Sequence, residues 1–467
     1  MSITNDFFRL ANAKGSPIQT HKKLLYSDRV VFLIVSGTII GVLIETGIIR
    51  VSGFVGVRDL SSEVTIFVGL GIFCVVSQLT ILNYVRNKIG KLFHSHDHTR
   101  IGIISNVVVI VQLVIITLVV VAILQVSLTY SYHTVVIKAV IISSFLMASV
   151  LSALLAWRFI IWIKTNKNRL ILMYLLASLF VSATAIAGVV YFLDQLSYRP
   201  DIIFSRTYGD FLTHVEIGYS SFVYVYAISS AFAFVFLWIG TVLLLQSYEK
   251  KIGRWKYWII MSVPLLYFLS QFQPIILNFL LSYVSYDPTL FMIVYIIMID
   301  AARPIGGVLF GLAFILVARK MENQEIRGYL VISGIGFLLL LVSYGAQALI
   351  TAPFPPLGLL SGSYFGLASY LIFIGLYSSA VSISQDARLR ASIRRSIELE
   401  VKFIGTIGEA EMDHRILEKV LITSKKFAKA MPELTGISSS LSDEEIKEYI
   451  EEVLEETRKR EPRNESP

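Results

Sequence analysis

The sequence predicts an all-α integral membrane protein: a bundle of about ten transmembrane helices with N and C termini cytoplasmic and a small helical cytoplasmic tail. Three observations carry this reading. Hydrophobic residues make up 55% of the 467 and charged residues 16%, with a mean hydropathy of +0.69, too apolar for a soluble chain of this length. A window of about 20 residues, enough to cross roughly 30 Å of hydrocarbon, picks out ten apolar runs. Lysine and arginine gather in every second loop between those runs.

The ten expected spans are 30–49, 65–84, 102–125, 136–157, 170–193, 222–245, 258–282, 289–318, 328–350 and 359–383. The loops after the even-numbered spans hold Arg86, Lys88, Lys91 and Arg100; Arg158, Lys164, Lys167 and Arg169; Lys250, Lys251, Arg254 and Lys256; and Arg319, Lys320 and Arg327. The intervening loops hold only Arg50, Arg58, Arg199 and Arg206, with Lys138 just inside span four. Cytoplasmic loops carry the excess of positive charge, so both termini are expected inside. Trp157, Trp162, Trp255 and Trp258 then mark the inner interface, and Tyr130, Tyr132, Tyr198, Tyr283 and Tyr286 the outer one. The chain divides into a cytoplasmic segment 1–29, a transmembrane domain 30–383 and a helical tail 384–467. The first run is followed by Arg50 rather than a small-residue cleavage site, so it reads as an uncleaved signal anchor.

The formal net charge of +8 sits in short loops next to the spans. That placement implies lipid headgroups, and the bilayer rather than nucleic acid is the expected partner. Cys74 is the single cysteine, which excludes an internal disulfide and any cysteine-based metal site. No inverted five-plus-five repeat is visible, because span eight carries charges and a proline and span three has neither.

Span eight contains MIDAARPIGGVLFG. Asp300 and Arg303, three residues apart, share a helix face and can pair. Pro304 cannot donate to the Asp300 carbonyl, so the helix should bend there and leave that carbonyl free. Gly307 and Gly311 permit close approach of another helix. In span seven, Tyr267, Gln271, Pro274, Asn278 and Ser282 recur every three or four residues as a polar stripe. Two readings stand side by side: an intramembrane polar site built from Asp300, Arg303, Gln271, Asn278 and Tyr267, or hydrogen-bonded contacts between helices worth about 0.6 kcal/mol each. Gln78, Gln112 and Gln347 fit either. Glu45, near the outer end of span one, is expected to reach water.

His94, His96 and His98 alternate in an inner loop and could converge on a metal if the chain is extended, though four basic residues flank them and a solvated loop is the competing reading. Asp210, His214 and Glu216 lie in the long outer loop, where a solvated surface is expected. No Gly-rich phosphate loop, zinc-protease motif or nucleophile elbow occurs, so no reaction or cofactor is implied.

In the tail, Arg388, Arg390, Arg394 and Arg395 lie where each can contribute about 1 kcal/mol of attraction to anionic lipid. Ile393, Ile397, Val401 and Ile404 predict an amphipathic helix continuing from span ten, interrupted by Gly405 and Gly408. Ser442 and Glu445 form a capping box ahead of an apolar face of Ile446, Tyr449, Ile450, Val453 and Leu454. FIGTIGEAEMDHR resembles the phospho-acceptor helix of sensor histidine kinases, but Glu409 stands in the place of the histidine. The residues after His414 are too few for an ATP-binding domain, so kinase activity is not expected. IGEAEM and SLSDEEIKEYIEEVLEE resemble the tails of uncharacterised multi-pass membrane proteins of ammonia-oxidising archaea. That resemblance implies an archaeal plasma membrane and no activity.

The function expected is a membrane sensor or regulatory protein that passes a signal to a cytoplasmic partner, or to a second copy, through 384–467. The alternative is a transporter or channel using the polar residues of spans seven and eight.

Overall fold

The computed structural model describes residues 28–55, 60–89, 99–204, 221–270, 302–351, 354–395, 399–435 and 443–460. In chain order the elements are α1 (Asp28–Val55), α2 (Leu60–Ile89), α3 (Thr99–Thr129), β1 (Ser131–His133), α4 (Thr134–Thr165), α5 (Arg169–Ser197), β2 (Ile202–Phe204) and α6 (Ser221–Leu244). They continue with α7 (Tyr248–Ile252), α8 (Arg254–Ser270), α9 (Ala302–Lys320), α10 (Gln324–Val342), a 3-10 turn (Ser343–Gln347), α11 (Ala348–Thr351), α12 (Leu359–Gly362) and α13 (Tyr364–Gln385). The tail supplies α14 (Ala387–Arg395), α15 (Leu399–Thr435) and α16 (Asp443–Arg460).

Among the described residues, eight helical stretches are long and apolar enough to cross a membrane: Ser61–Lys88, Gly102–Thr129, Thr134–Thr165, Arg169–Ser197, Ser221–Leu244, Ala302–Lys320, Gln324–Ile350 and Leu359–Gln385. The other two expected spans, 30–49 and 258–282, fall on α1 and α8, the latter described only as far as Ser270. The protein is a multi-pass helical membrane protein.

Two helices form the centre. Leu359–Gln385 is buried at every position as far as Val381 and Gln324–Ile350 over most of its length, while Ser61–Lys88 and Gly102–Thr129 present many side chains outward. A helix apolar all round has no face to give to solvent and suits an interior position. Small residues let the central helices touch. A Cβ on Gly375 of α13 would lie 2.5 Å from the Tyr329 carbonyl of α10, and one on Gly336 of α10 would lie 2.9 Å from the Ala368 carbonyl. The expected close approach at Gly307 and Gly311 is found between α9 and α10: a Cβ on Gly311 would meet the Gly334 carbonyl at 2.7 Å. In lipid, where water gives helices no drive to associate, such backbone proximity is a main source of packing energy.

At one end of the bundle β1 pairs antiparallel with β2, Tyr132 opposite Ile203. Tyr132 was expected at the membrane surface but is 1% exposed, its ring stacked on Phe354 at 6.2 Å. The ribbon turns it inward against Phe354, and hydropathy alone gives no sign of so short a pairing.

At the other end lies the tail, where the sequence expectation needs two corrections. The chain does not continue span ten as one helix. Asp386 adopts an extended backbone and its carboxylate accepts from the N–H groups of Arg388 (2.9 Å) and Leu389 (3.1 Å), which starts the separate helix α14. Nor do Gly405 and Gly408 interrupt α15. They are its contact points, Gly405 against Ile393 of α14 and Gly408 against Ile383 and the Ala380 carbonyl of α13. A glycine inside a helix costs about 1 kcal/mol relative to alanine, and here the close approach offsets it.

Gly375→Ala should therefore destabilise the protein by about 1–3 kcal/mol through overpacking. Thermal unfolding in detergent checks this, with Gly69→Ala, which meets nothing within 4 Å, as the control expected to stay within about 0.5 kcal/mol of wild type.

Candidate functional site

The central pair of helices is irregular at one level. α10 ends in the 3-10 turn, and opposite it the helix Leu359–Gln385 is interrupted at Ser363, between α12 and α13. Gly358 opens α12 with φ 93°, a left-handed conformation that favours glycine, and a Cβ there would sit 2.5 Å from the Leu349 nitrogen. Interior backbone groups released by such a break have no water to bond and must find protein partners.

Those partners come from four surrounding helices. Ser144 of α4 donates to the Gly362 carbonyl at 2.7 Å and accepts from the Gly366 N–H at 3.1 Å. Gln78 of α2 donates to the Ser363 hydroxyl at 2.7 Å, while Gln112 of α3 donates to the Gln78 side-chain carbonyl at 2.8 Å and reaches the Ser363 carbonyl at 3.4 Å. From α1, Thr38 shares a 2.8 Å hydrogen bond with Ser77 of α2, and the Tyr364 hydroxyl donates to the Cys74 carbonyl at 3.1 Å. Glu45, also on α1, accepts the Gly358 N–H on Oε1, and the N–H groups of Leu360 and Ser361 face the same carboxylate. It caps the first turn of α12 from another helix.

All of these side chains are buried, and Glu45 is 1% exposed. The expectation that Glu45 reaches water is corrected: α12 and the 3-10 turn close over that end of α1. Among the described residues, Oε2 of Glu45 and Oε1 of Gln112 have no hydrogen-bond partner.

At the far end of α13 the tail is held by a second polar cluster. Glu411 of α15, 1% exposed, accepts from Trp162 Nε1 at 3.0 Å and from Arg415 Nε at 3.1 Å, with Arg158 at 3.9 Å. The Arg158 guanidinium lies over the Tyr377 ring of α13, 4.6 Å from its centre. Trp162 was expected as an interface marker but is fully buried, because α15 covers it; Trp157 and Trp255 remain exposed. Val401, Phe403, Ile404, Ile407 and Ala410 seat α15 on the bundle, with Phe403 5.8 Å from Tyr174 of α5. Arg390 of α14 donates to the Ile383 carbonyl at 3.1 Å and to that of Ser384, closing the end of α13.

Of the residues singled out from the sequence, Asp300, Gln271, Asn278, His94, His96 and His98 lie outside the described residues, as do Asp210, His214 and Glu216. Tyr267 is half-buried on α8, its carbonyl accepting from the Ser270 hydroxyl at 2.7 Å. Arg303 is half-buried at the start of α9, its guanidinium 4.8 Å above the ring of Tyr344 in the 3-10 turn. That cation–π contact places Arg303 beside the irregular level, within electrostatic reach of Tyr226 on α6. Sequence reasoning missed the roles of Glu45, Ser144, Ser363 and Glu411. An acid inside an apolar run and paired glutamines at mid-span were the available signals for the first cluster. Nothing local marks Glu411, whose partners are distant in sequence.

Comparison with family models, with curated proteins and with solved structures finds no match to this chain.

Gln78→Leu and Gln112→Leu should each destabilise the protein by about 0.6–1.7 kcal/mol, the range for hydrogen bonds between membrane helices. The double variant should lose less than the sum, because the two amides share one bond. Unfolding of all four proteins in one detergent closes the cycle, and strict additivity would contradict the bonded pair.

Proposed function

We propose that the protein is a membrane sensor or regulatory protein, with about ten spans and both termini on the cytoplasmic side. A change in the buried polar cluster reaches a cytoplasmic partner through the tail. The observation that carries this reading is α13 itself. One helix, buried from Tyr364 to Val381, has the interrupted, polar-capped turn at its start and the docked tail helix at its end. A rigid element shared by two clusters is the physical means by which one biases the other. The basic loops that follow the even-numbered spans support the inward placement of the tail. The resemblance of the tail to those of multi-pass proteins from ammonia-oxidising archaea supports an archaeal plasma membrane.

Hydrogen exchange on the full-length protein in nanodiscs tests the coupling. Gln112→Leu perturbs the α12–α13 break, and exchange across 399–415 should rise by about fivefold or more, the lower end of ordinary allosteric coupling. Glu411→Ala, which frees the tail directly, sets the upper limit. Exchange in 399–415 that is unchanged by Gln112→Leu, while residues around Ser363 loosen, overturns the sensor reading.

A transporter is the second reading, favoured by the interrupted helix, since broken helices with polar caps build the solute sites of many transporters. Asp300, Arg303, Gln271, Asn278 and Tyr267 would then line the path with Glu45. On that reading, proteoliposomes should show solute or proton flux that Asp300→Asn and Arg303→Gln reduce at least tenfold. Flux indifferent to both substitutions overturns it.

A further inference from the structure

The charge on Glu45 is the feature of the polar cluster that helix packing leaves unexplained. The carboxylate is 1% exposed, and among the described residues no lysine or arginine forms an ion pair with it. Gly358 donates to Oε1 and the Leu360 and Ser361 N–H groups also face the carboxylate, yet Oε2 has no hydrogen-bond partner among the described residues. Among the described residues, the titratable group that interacts with it from a neighbouring element is Cys74 on α2, whose carbonyl accepts from the Tyr364 hydroxyl of α13. Arg199 donates to the Ile350 carbonyl of α11 at 2.8 Å. A bare carboxylate oxygen in so apolar a place costs several kcal/mol.

We propose that Glu45 is a proton-binding site: the proton is carried on Oε2, and Oε1 keeps the Gly358 hydrogen bond as the carbonyl oxygen of a neutral acid. The donor set argues against a metal cation as the ligand. The first N–H groups of a helix point at the carboxylate, and their partial positive charge repels a cation while leaving a neutral acid undisturbed. Loss of the proton to water restores the full charge on the carboxylate. Its bonds to Gly358, Leu360 and Ser361 then become charge-assisted and tighten the start of α12. Proton uptake loosens the same turn, directly ahead of α13. The part of this inference that concerns the tail rests on the sensor reading; the proton site does not.

Infrared spectroscopy of the full-length protein in nanodiscs tests both parts. A carboxylic-acid C=O band should be present at low pH, shift in D2O, disappear as pH rises and be missing in Glu45→Gln. If Glu45→Gln does not fold, Glu45→Asp should move the band instead. No titrating acid band, or a band that survives in Glu45→Gln, overturns the proposal. So does a band abolished by added Na+ at constant pH, which would assign the site to a cation. Hydrogen exchange across 399–415, read on the same samples, should depend on pH in wild type and lose that dependence in Glu45→Gln. A titrating Glu45 with an indifferent tail leaves the proton site standing and overturns the sensor reading alone.

Discussion

The burial of α13 is the constraint on which the rest of the structure depends. A helix with no lipid face must be enclosed, and enclosure at backbone contact needs residues without bulk. Gly375, Gly336 and Ser333 meet this between α13 and α10, Gly366 lies against Met147 and Ser144 of α4, and Gly408 brings the tail onto the last turn. The outer helices can then be ordinary apolar cylinders. Ser61–Lys88 and Gly102–Thr129 turn much of their surface outward because only one stripe of each is needed to complete the enclosure.

Enclosure also sets the rule for polar groups. Once Leu359–Gln385 is interrupted in the interior, every freed backbone group needs a side-chain partner, since an unpaired one costs as much as a lost hydrogen bond or more. Ser144 and Gln112 answer that need from two different helices and Glu45 from a third, while Gln78 from a fourth holds the Ser363 hydroxyl. The break therefore ties α1 to α4 to the centre through directional bonds, where glycine contacts alone would leave rotation and register free. The unpartnered oxygens of Glu45 and Gln112 are the places where this satisfaction is incomplete.

Hydropathy made the membrane class and most helices legible, because the requirement for an apolar run about 20 residues long is local. Gly307 and Gly311 were legible for the same reason: spacing on one helix reveals a close-contact face before its partner is known. What the sequence concealed is non-local. An interior span and a lipid-facing span are equally apolar, so nothing in 359–383 distinguishes the central helix from a peripheral one. Glu45 looks like a residue near a helix end because its cover, α12, is more than 300 residues away. Gly405 and Gly408 read as interruptions because helix propensity penalises glycine, and only the tertiary contact with α13 and α14 reverses the sign. Glu411 is one acid among several in a mixed-charge tail until Trp162 and Arg158 are seen around it.

The two polar clusters differ in a way that bears on how a signal could pass between them. Around Glu411, cations and an indole complete the carboxylate, and the cluster is a lock whose removal exposes a buried charge. Around Glu45 the donors are backbone N–H groups, and one oxygen is left without a hydrogen-bond partner among the described residues. A partly bonded carboxylate at one end of α13 and a fully bonded one at the other form an asymmetric pair. On the sensor reading, displacement at the Glu45 end would pass along α13 to the Glu411 cluster, close to where Ala380 and Ile383 lie against Gly408.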